Sequence, residues 1–443
     1  MKHHGNKETS GTKKVILLIS IAITVGIVMI LLALFNNPGR NEIVSDTAAQ
    51  KETVEPVSPL SEKPNRSEIL FGCSISKNGC YISEGKRVIE GYNLWVDKVN
   101  NEGGLKVGDK QYPVRIIYYD DKSNKEKVRE NIARFINEDK VDFLLGPYSS
   151  GLTLAASEIA EQYGKILVET CGASEVIFSK NTRCTFAALT SASWYTREFF
   201  MMMSQKTSEK LTYGVLAFTS KDKLFPKSVA KGARIWGGKV GFKEIYYKVI
   251  DTSSENWIIF LEELREKCPD IVVFTGHYQD AVLLVELLHE TPDYHPKAVV
   301  MTLGPTQKNF VKDLGQKAEC MTGVSQWSSK AGYKGPFFGS SQEYAQKFEK
   351  RYGHHPTYQN AQATTGCLIY QQAIEQCRTL DAQQVLENIR NLDIEFFYGK
   401  IRFDKRGLNI GHPMIVVQIQ NGKQRLVWPE NATEYRFIYP IPE

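Results

Sequence analysis

The sequence lacks the short motifs that mark most enzyme active sites. It has no Gly-x-Ser-x-Gly elbow, His-Glu-x-x-His helix, Walker loop or Gly-x-Gly-x-x-Gly fingerprint, each of which supplies a local geometry that its chemistry needs. Histidine is scarce, at eight in 443 residues, and the folded part has one adjacent pair, His354-His355. No catalytic residue, metal ligand or cofactor is expected. The eight cysteines include no Cys-x-x-Cys, which argues against a zinc cluster or a thioredoxin-like site. Cys73 with Cys80 and Cys171 with Cys184 would each close a short loop; disulfides and free buried thiols are both open. The net charge of +5 is small, mixed in sign and without a basic stripe interleaved with aromatics, so nucleic acid is excluded as a partner.

Long apolar runs are also missing, with one exception. Val15 to Phe35 carries no charge and is long enough to cross a bilayer as a helix. Lys13 and Lys14 precede it, so the positive-inside bias puts residues 1–14 in the cytoplasm and the remainder outside. No small-residue cleavage site follows the run closely, which favours an uncleaved single-pass signal anchor in the cell membrane over a cleaved secretory signal. Residues 36–66 are rich in Glu, Pro, Ser, Thr and Lys and poor in aromatics, the composition of a disordered tether.

What is present is a long alternation of strand and helix patterns. Apolar runs at Ile69–Phe71, Val114–Tyr119, Val141–Leu145 and Ile166–Val168 read as strands; Gly85–Val99 and Lys125–Asn137 read as amphipathic helices. A second series starts at Tyr213–Phe218. It continues through helix Val229–Trp236, strand Glu244–Val249, helix Trp257–Lys267, strand Ile271–Phe274, helix Gln279–His289 and strand Ala298–Thr302. Two runs of this kind make two doubly wound parallel-sheet lobes. Gly399–Asp404 and Met414–Gln420 look like a hairpin-type extension with a tight turn at Asn421-Gly422.

The most informative stretch runs from Val141 to Ser174, strand–loop–helix–strand–loop. Its two small polar loops, Tyr148-Ser149-Ser150-Gly151 and Cys171-Gly172-Ala173-Ser174, lie at the carboxyl ends of their strands, where open parallel sheets hold ligands. The first also opens a helix, whose free amides suit an anion such as a carboxylate. Helix capping by Ser149 or Ser150 is the plainer role.

Taken in order, several marks resemble the leucine/isoleucine/valine-binding type of solute-binding protein that feeds ABC transporters, the type I periplasmic-binding fold. They are Gly91–Asp97 with Asn100–Gly104, Tyr119-Asp120-Asp121, Val141-Asp142, Gly146–Gly151, Tyr398-Gly399, Phe403-Asp404, and Val417-Gln418 with Asn421-Gly422. The likeness spans about Ile69 to Trp428. It implies two lobes joined by a three-strand hinge, with crossings near Ala188, within Gly304–Trp327 and near Gly399. Lobe I then takes 67–188 and 327–398, lobe II takes 189–326, and 399–443 completes lobe II with a C-terminal extension. The family's ligand positions fall here on Ser150 for an α-carboxylate, on Ala173 and Ser174 for an ammonium and carboxylate, and on the Thr275 to Asp280 loop with its Tyr278, where Asp280 would pair an ammonium. The loop Thr219–Lys223 is polar where the family often has an aromatic lid, and Glu84 stands where an aromatic can help, with Tyr81 nearby. Trp194, Tyr195 and Trp327 offer aromatic walls instead. The resemblance implies a membrane-tethered carrier of an amino acid or amide-like ligand, delivering it to an ABC permease without altering it. A ligand sensor acting through a separate signalling chain is the alternative, and an amide hydrolase a more distant one.

Overall fold

The computed structural model describes residues 67–442 apart from 180–181, 220–222, 252–257, 292 and 434. The anchor expected over Val15–Phe35, its cytoplasmic tail and the linker 36–66 lie outside the described residues. Among the described residues no helix is long and apolar enough to cross a membrane.

The first strand series builds one five-stranded sheet. Its members are β1 (Ile69–Ile75), β2 (Val114–Asp120), β3 (Phe143–Leu145), β4 (Leu167–Glu169) and β5 (Thr185–Ala187), in the order β2-β1-β3-β4-β5, all parallel. The second series forms a seven-stranded sheet from β6 (Thr212–Phe218), β7 (Lys243–Ile250), β8 (Ile271–Thr275), β9 (Ala298–Met301), β10 (Thr322–Ser325), β11 (Ile415–Gln420) and β12 (Lys423–Trp428), ordered β12-β11-β10-β9-β8-β6-β7. Five of these strands are parallel, while β11 pairs antiparallel with β10 and β12 antiparallel with β11 at the edge. The second sheet is therefore mixed rather than wholly parallel. The β11–β12 hairpin turns at Asn421-Gly422, where φ is +54° and +64°, as an Asn-Gly pair favours. The helices are α1 (Ile82–Asn101), α2 (Lys125–Asn137), α3 (Ser150–Gln162), α4 (Arg197–Lys206), α5 (Leu224–Lys239), α6 (Ile258–Lys267), α7 (Tyr278–His289), α8 (Ser341–Tyr352), α9 (Tyr358–Cys377) and α10 (Ala382–Arg390), besides one short turn at Phe310–Leu314.

Side-chain alternation along the second sheet gives that lobe two cores. Tyr213, Val215, Ala217, Ile271 and Val273 face one side, and Leu216, Phe218, Val272 and Phe274 the other, as the period of two requires. The first lobe has a single large core to which Trp327, Phe338, Tyr344, Phe396, Ile401 and Phe403 also belong. Residues from Trp327 to Phe403 thus return to the first lobe. Gly399–Arg402 pairs with Asp393–Phe396, not with Ile415–Gln420. Burial of Phe396, Ile401 and Phe403 carries the chain past Gly399 before it crosses back.

All eight cysteines are free thiols, which decides against the Cys73–Cys80 and Cys171–Cys184 disulfides. Cys73 and Cys171 are buried inside the first lobe, and Cys80 is exposed.

Candidate functional site

The three interlobe segments grip one another. Gln326, just after β10, accepts the Thr190 N–H and donates to the Thr190 carbonyl. Thr190 Oγ1 donates to the His412 carbonyl at 2.6 Å, and His412 Nε2 lies 2.5 Å from the Gln326 carbonyl. Asn409 Nδ2 reaches the Ala188 carbonyl at 3.2 Å, and Tyr398 stacks on His412 with ring centroids 4.5 Å apart. His412 is buried, and desolvation lowers its pKa from 6.5 to about 4, so the ring is neutral.

Ahead of these crossings the strand ends of the two lobes face each other. On the first lobe, Ser149 caps α3 by accepting the Leu152 N–H at 3.4 Å, with φ at +75°, an unusual conformation for a serine. The first helical bond is Thr153 N–H to Ser149 O, so the Ser150 and Gly151 amides precede it. Ser150 Oγ accepts the Ser174 N–H at 3.1 Å and so ties the two polar loops together. Tyr92 strengthens the tie: its hydroxyl contacts the Gly146 carbonyl at 3.0 Å and Thr170 Oγ1 at 2.8 Å. Below the second loop, buried Glu169 accepts the Gly172 N–H at 2.6 Å through Oε2, while Oε1 has no partner. Desolvation raises its pKa well above the usual carboxylate value, and the side chain is held towards its protonated form.

Between the lobes lies a cavity lined by Tyr148, Ser149, Ser150, Cys171, Ala173, Leu189, Tyr195, Phe225, His277, Leu303, Tyr358 and Gln362. Its volume is about 30 Å³, room for about one or two waters and not for an amino acid. The lobes touch across it: Arg87 Nη1 donates to Gln307 Oε1 at 2.6 Å, and the rings of Tyr81 and His277 are 5.9 Å apart. Tyr81 also packs edge-on against Tyr148 at 5.2 Å. Burial raises the pKa of the phenols of Tyr148, Tyr195 and Tyr358 and pushes the Cys171 thiol up to about 12. These groups stay neutral, and no lysine or arginine lines the cavity. An anion there would be met by peptide N–H groups at the start of α3.

Of the residues singled out from the sequence, the structure brings Tyr148, Ser149, Ser150, Ala173 and Tyr195 together around this cavity. Ser174 lies just behind, its hydroxyl 2.7 Å from that of Ser228 on α5, and the Ala173 carbonyl accepts the Ala192 N–H at 2.7 Å. Asp280 is buried in the first turn of α7, outside the lining. Tyr278 turns away, its hydroxyl bonding Asp313 at 2.5 Å; His277 is the residue of that loop that reaches the cavity. Trp194 stacks edge-on with Trp236 at 5.9 Å in a separate groove. Trp327 is a core residue: its indole N–H donates to the Phe397 carbonyl at 3.0 Å and its ring meets Tyr344 at 5.6 Å. Lys223 faces Asp251 at 3.7 Å in the same groove as Trp194, and Lys221 lies outside the described residues.

Seven lining residues were not read as such from the sequence: Cys171, Leu189, Phe225, His277, Leu303, Tyr358 and Gln362. Phe225 stands two positions past the polar Thr219–Lys223 loop and supplies the ring that loop lacks. Tyr358 and Gln362 project from α9, for which no local motif exists. Among the described residues no group of three or more His, Cys, Asp or Glu could hold a metal ion.

Residues 68–424 match the family model described as periplasmic binding protein. Curated relatives include Leu/Ile/Val-binding protein homolog 7 of Brucella suis, 23% identical over 384 residues, covering 83% of this chain and 93% of the relative. Homolog 8 of Brucella abortus is 24% identical over 391 residues, covering 83% and 92%. Among solved structures, a leucine-binding protein of Thermotoga maritima superposes with a TM-score of 0.69 at 17% identity, covering 82% of this chain and 99% of the other. A branched-chain amino acid transporter substrate-binding protein of Streptococcus pneumoniae, in complex with isoleucine, gives 0.68 at 19% identity, covering 81% and 97%. An ABC-transporter solute-binding protein of R. palustris in complex with benzoate gives 0.65 at 14% identity, covering 81% and 95%. At these identities the structural likeness is one of fold.

Proposed function

Because the chain belongs to the periplasmic binding protein family, we propose that it captures a small amino acid or amide-like ligand between its lobes and delivers it to an ABC permease. The observation that carries this reading is the start of α3, where Ser149 and Ser150 line an interlobe cavity walled by Tyr148, Tyr195, Phe225 and Tyr358. Peptide dipoles would hold a carboxylate or amide oxygen there, while the rings would take the rest of the ligand. The names of the relatives, which refer to leucine, isoleucine and valine, support an amino acid. The lack of a lysine or arginine in the lining argues against a second carboxylate on the ligand.

In this reading the cavity admits ligand only when the lobes separate, and closure repeats the Arg87–Gln307 contact over it. Motion of this kind concentrates in the three crossing segments. The uncharged run Val15–Phe35 would anchor the protein as a single pass with its folded part outside the cytoplasm, and membrane fractionation of the full chain tests that part alone.

Thermal-shift screening of amino acids, amides, urea and small acids against the folded domain tests the ligand reading. A ligand at a hundred times its Kd stabilises the folded state by about 2.7 kcal/mol, a clear rise in Tm. The Ser150→Ala variant is expected to lose most of that rise. No rise with any amino acid or amide would refute the proposal.

A further inference from the structure

A second concavity, of about 570 Å³, lies beside the hinge and is separate from the ligand cavity. One wall is a single face of α5. Lys223, at its N-cap, and Lys227, Lys231 and Ile235 follow one another at intervals of four residues, the spacing that stacks side chains along one helical face. The other wall is the third crossing segment, with Arg406, Leu408, Asn409 and Ile410, and the turn carrying Glu175 and Val176 closes one end. The floor includes Ser191, Ser193 and Trp194 of the first crossing. Both walls are fixed to the body of the protein. Trp236 Nε1 donates to the Ser193 carbonyl at 2.9 Å, holding α5 down, and the Ala187 N–H donates to the Gly407 carbonyl at 2.9 Å, strapping the crossing segment to β5.

Two properties of this groove are unusual for an idle surface. Val176, Ile235 and Ile410 are 41%, 42% and 39% exposed, and they are three of the six large apolar side chains that stand exposed among the described residues. Singly such residues need no explanation, but a cluster of them marks a binding surface. Charge in the groove is also one-sided. Four cations, Lys223, Lys227, Lys231 and Arg406, face one carboxylate, Glu175, which already accepts the Ser193 N–H at 2.9 Å. Lys223 and Arg406 have acidic neighbours in Asp251 and Asp404; Lys227 and Lys231 have no ion pair among the described residues.

We infer that this groove docks a segment of a partner protein that carries aspartate or glutamate interleaved with aliphatic residues. The lysine row would meet its carboxylates, and Val176, Ile235 and Ile410 would be covered by its aliphatic side chains. Complementary charge sets partner choice and encounter rate, while the apolar strip supplies area to bury. A concave site with walls on two sides suits an inserted chain better than a flat lipid surface.

The inference is independent of the amino acid reading, because none of these residues lines the ligand cavity. A fluorescein-labelled synthetic peptide of alternating glutamate and isoleucine, followed by anisotropy at 0.15 M salt, tests it on the folded domain. The peptide should bind, and Lys227→Glu with Lys231→Glu should weaken it by roughly tenfold, since two attractions become repulsions. Ile235→Ser should weaken it by about threefold or more through lost apolar burial. A control pair of exposed lysines away from the groove, Lys312→Glu with Lys350→Glu, should change affinity less than twofold. All variants should keep the wild-type Tm, which separates a docking defect from misfolding. No binding by the wild type overturns the inference, as does equal loss with the control pair, an equally tight polyglutamate peptide, or tighter binding to phosphatidylglycerol vesicles than to the peptide.

Discussion

The side-chain amide of Gln326 accepts the Thr190 N–H and donates to the Thr190 carbonyl, each at 3.1 Å. One side chain thereby pairs the first and second interlobe crossings as a neighbouring strand would. Gln326 Oε1 also lies 3.1 Å from the Tyr398 hydroxyl. Gln326→Leu keeps the bulk but leaves the buried peptide groups of Thr190 unpaired, at a cost of about 1–3 kcal/mol for each group left unsatisfied. Urea unfolding should show a midpoint well below wild type, and an unchanged midpoint would show that Gln326 does not hold the crossings together.

Arg87 and Gln307 join the two lobes by a hydrogen bond. Arg87→Ala removes a charge-assisted hydrogen bond worth roughly 1.5–3 kcal/mol at most, from a contact that exists only when the lobes are together. The population should shift towards the open form, with a larger radius of gyration in X-ray scattering. Affinity for whatever ligand the thermal screen identifies should fall several-fold while Tm without ligand barely moves. An equal loss of unliganded stability would make the contact structural instead.

His412 gives the folded domain a pH dependence whose sign is fixed by burial. Its folded pKa lies near 4, below the ordinary 6.5. Above pH 6.5 both folded and unfolded forms are neutral, and the group contributes nothing. As pH falls from 6.5 to 4 the unfolded chain takes up the proton first, so stability declines by up to roughly 3 kcal/mol and by no more below that. Its ring resonances in NMR should titrate near pH 4 in the folded protein. A midpoint at 6.5 would show the ring to be solvated.

Gly399 touches the same ring. With φ at +136°, a Cβ built on it would lie 2.2 Å from His412 Nδ1, so substitution adds both backbone strain and a clash. Gly399→Ala should destabilise the folded domain by at least about 2 kcal/mol, read from chemical denaturation.

Trp327 separates packing from ligand contact. Its side chain fills the first lobe's core between Tyr344 and Phe397. Trp327→Ala should cost about 3–5 kcal/mol of stability and leave the affinity of the remaining folded protein close to wild type. A marked loss of affinity with unchanged stability would return it to the ligand site.

Much of this architecture was written locally. Period-two and 3.6-period patterns place Lys125–Asn137 to the residue and five of the seven second-lobe strands to within a residue, leaving out Thr322–Ser325 and Lys423–Trp428, because each element buries a face that its own sequence must supply. The Gly91 mark has a steric reason: a Cβ there would sit 2.3 Å from the Asn360 carbonyl and 2.8 Å from Ala363 Cβ, so α1 and α9 approach too closely for a side chain. The strand-end loops at Ser150 and Ala173 were legible for the same local reason, since a strand running into a helix exposes its first amides wherever the fold puts it.

Helices α8 to α10 were not read from the sequence. α9 is buried almost all round and lined with Gln359, Asn360, Gln362, Thr364 and Thr365, so it has no apolar stripe to announce it. From it come Tyr358 and Gln362, about two hundred residues beyond Ser150 in the chain yet on the same cavity. The sequence alone determined the alternating strands and helices of both series and which polar loops end their strands. Only the tertiary structure decided that Trp327 belongs to a core, that His277 rather than Tyr278 faces the cavity, and that Gln326 and His412 bind the crossings, because each depends on which distant surface packs against it.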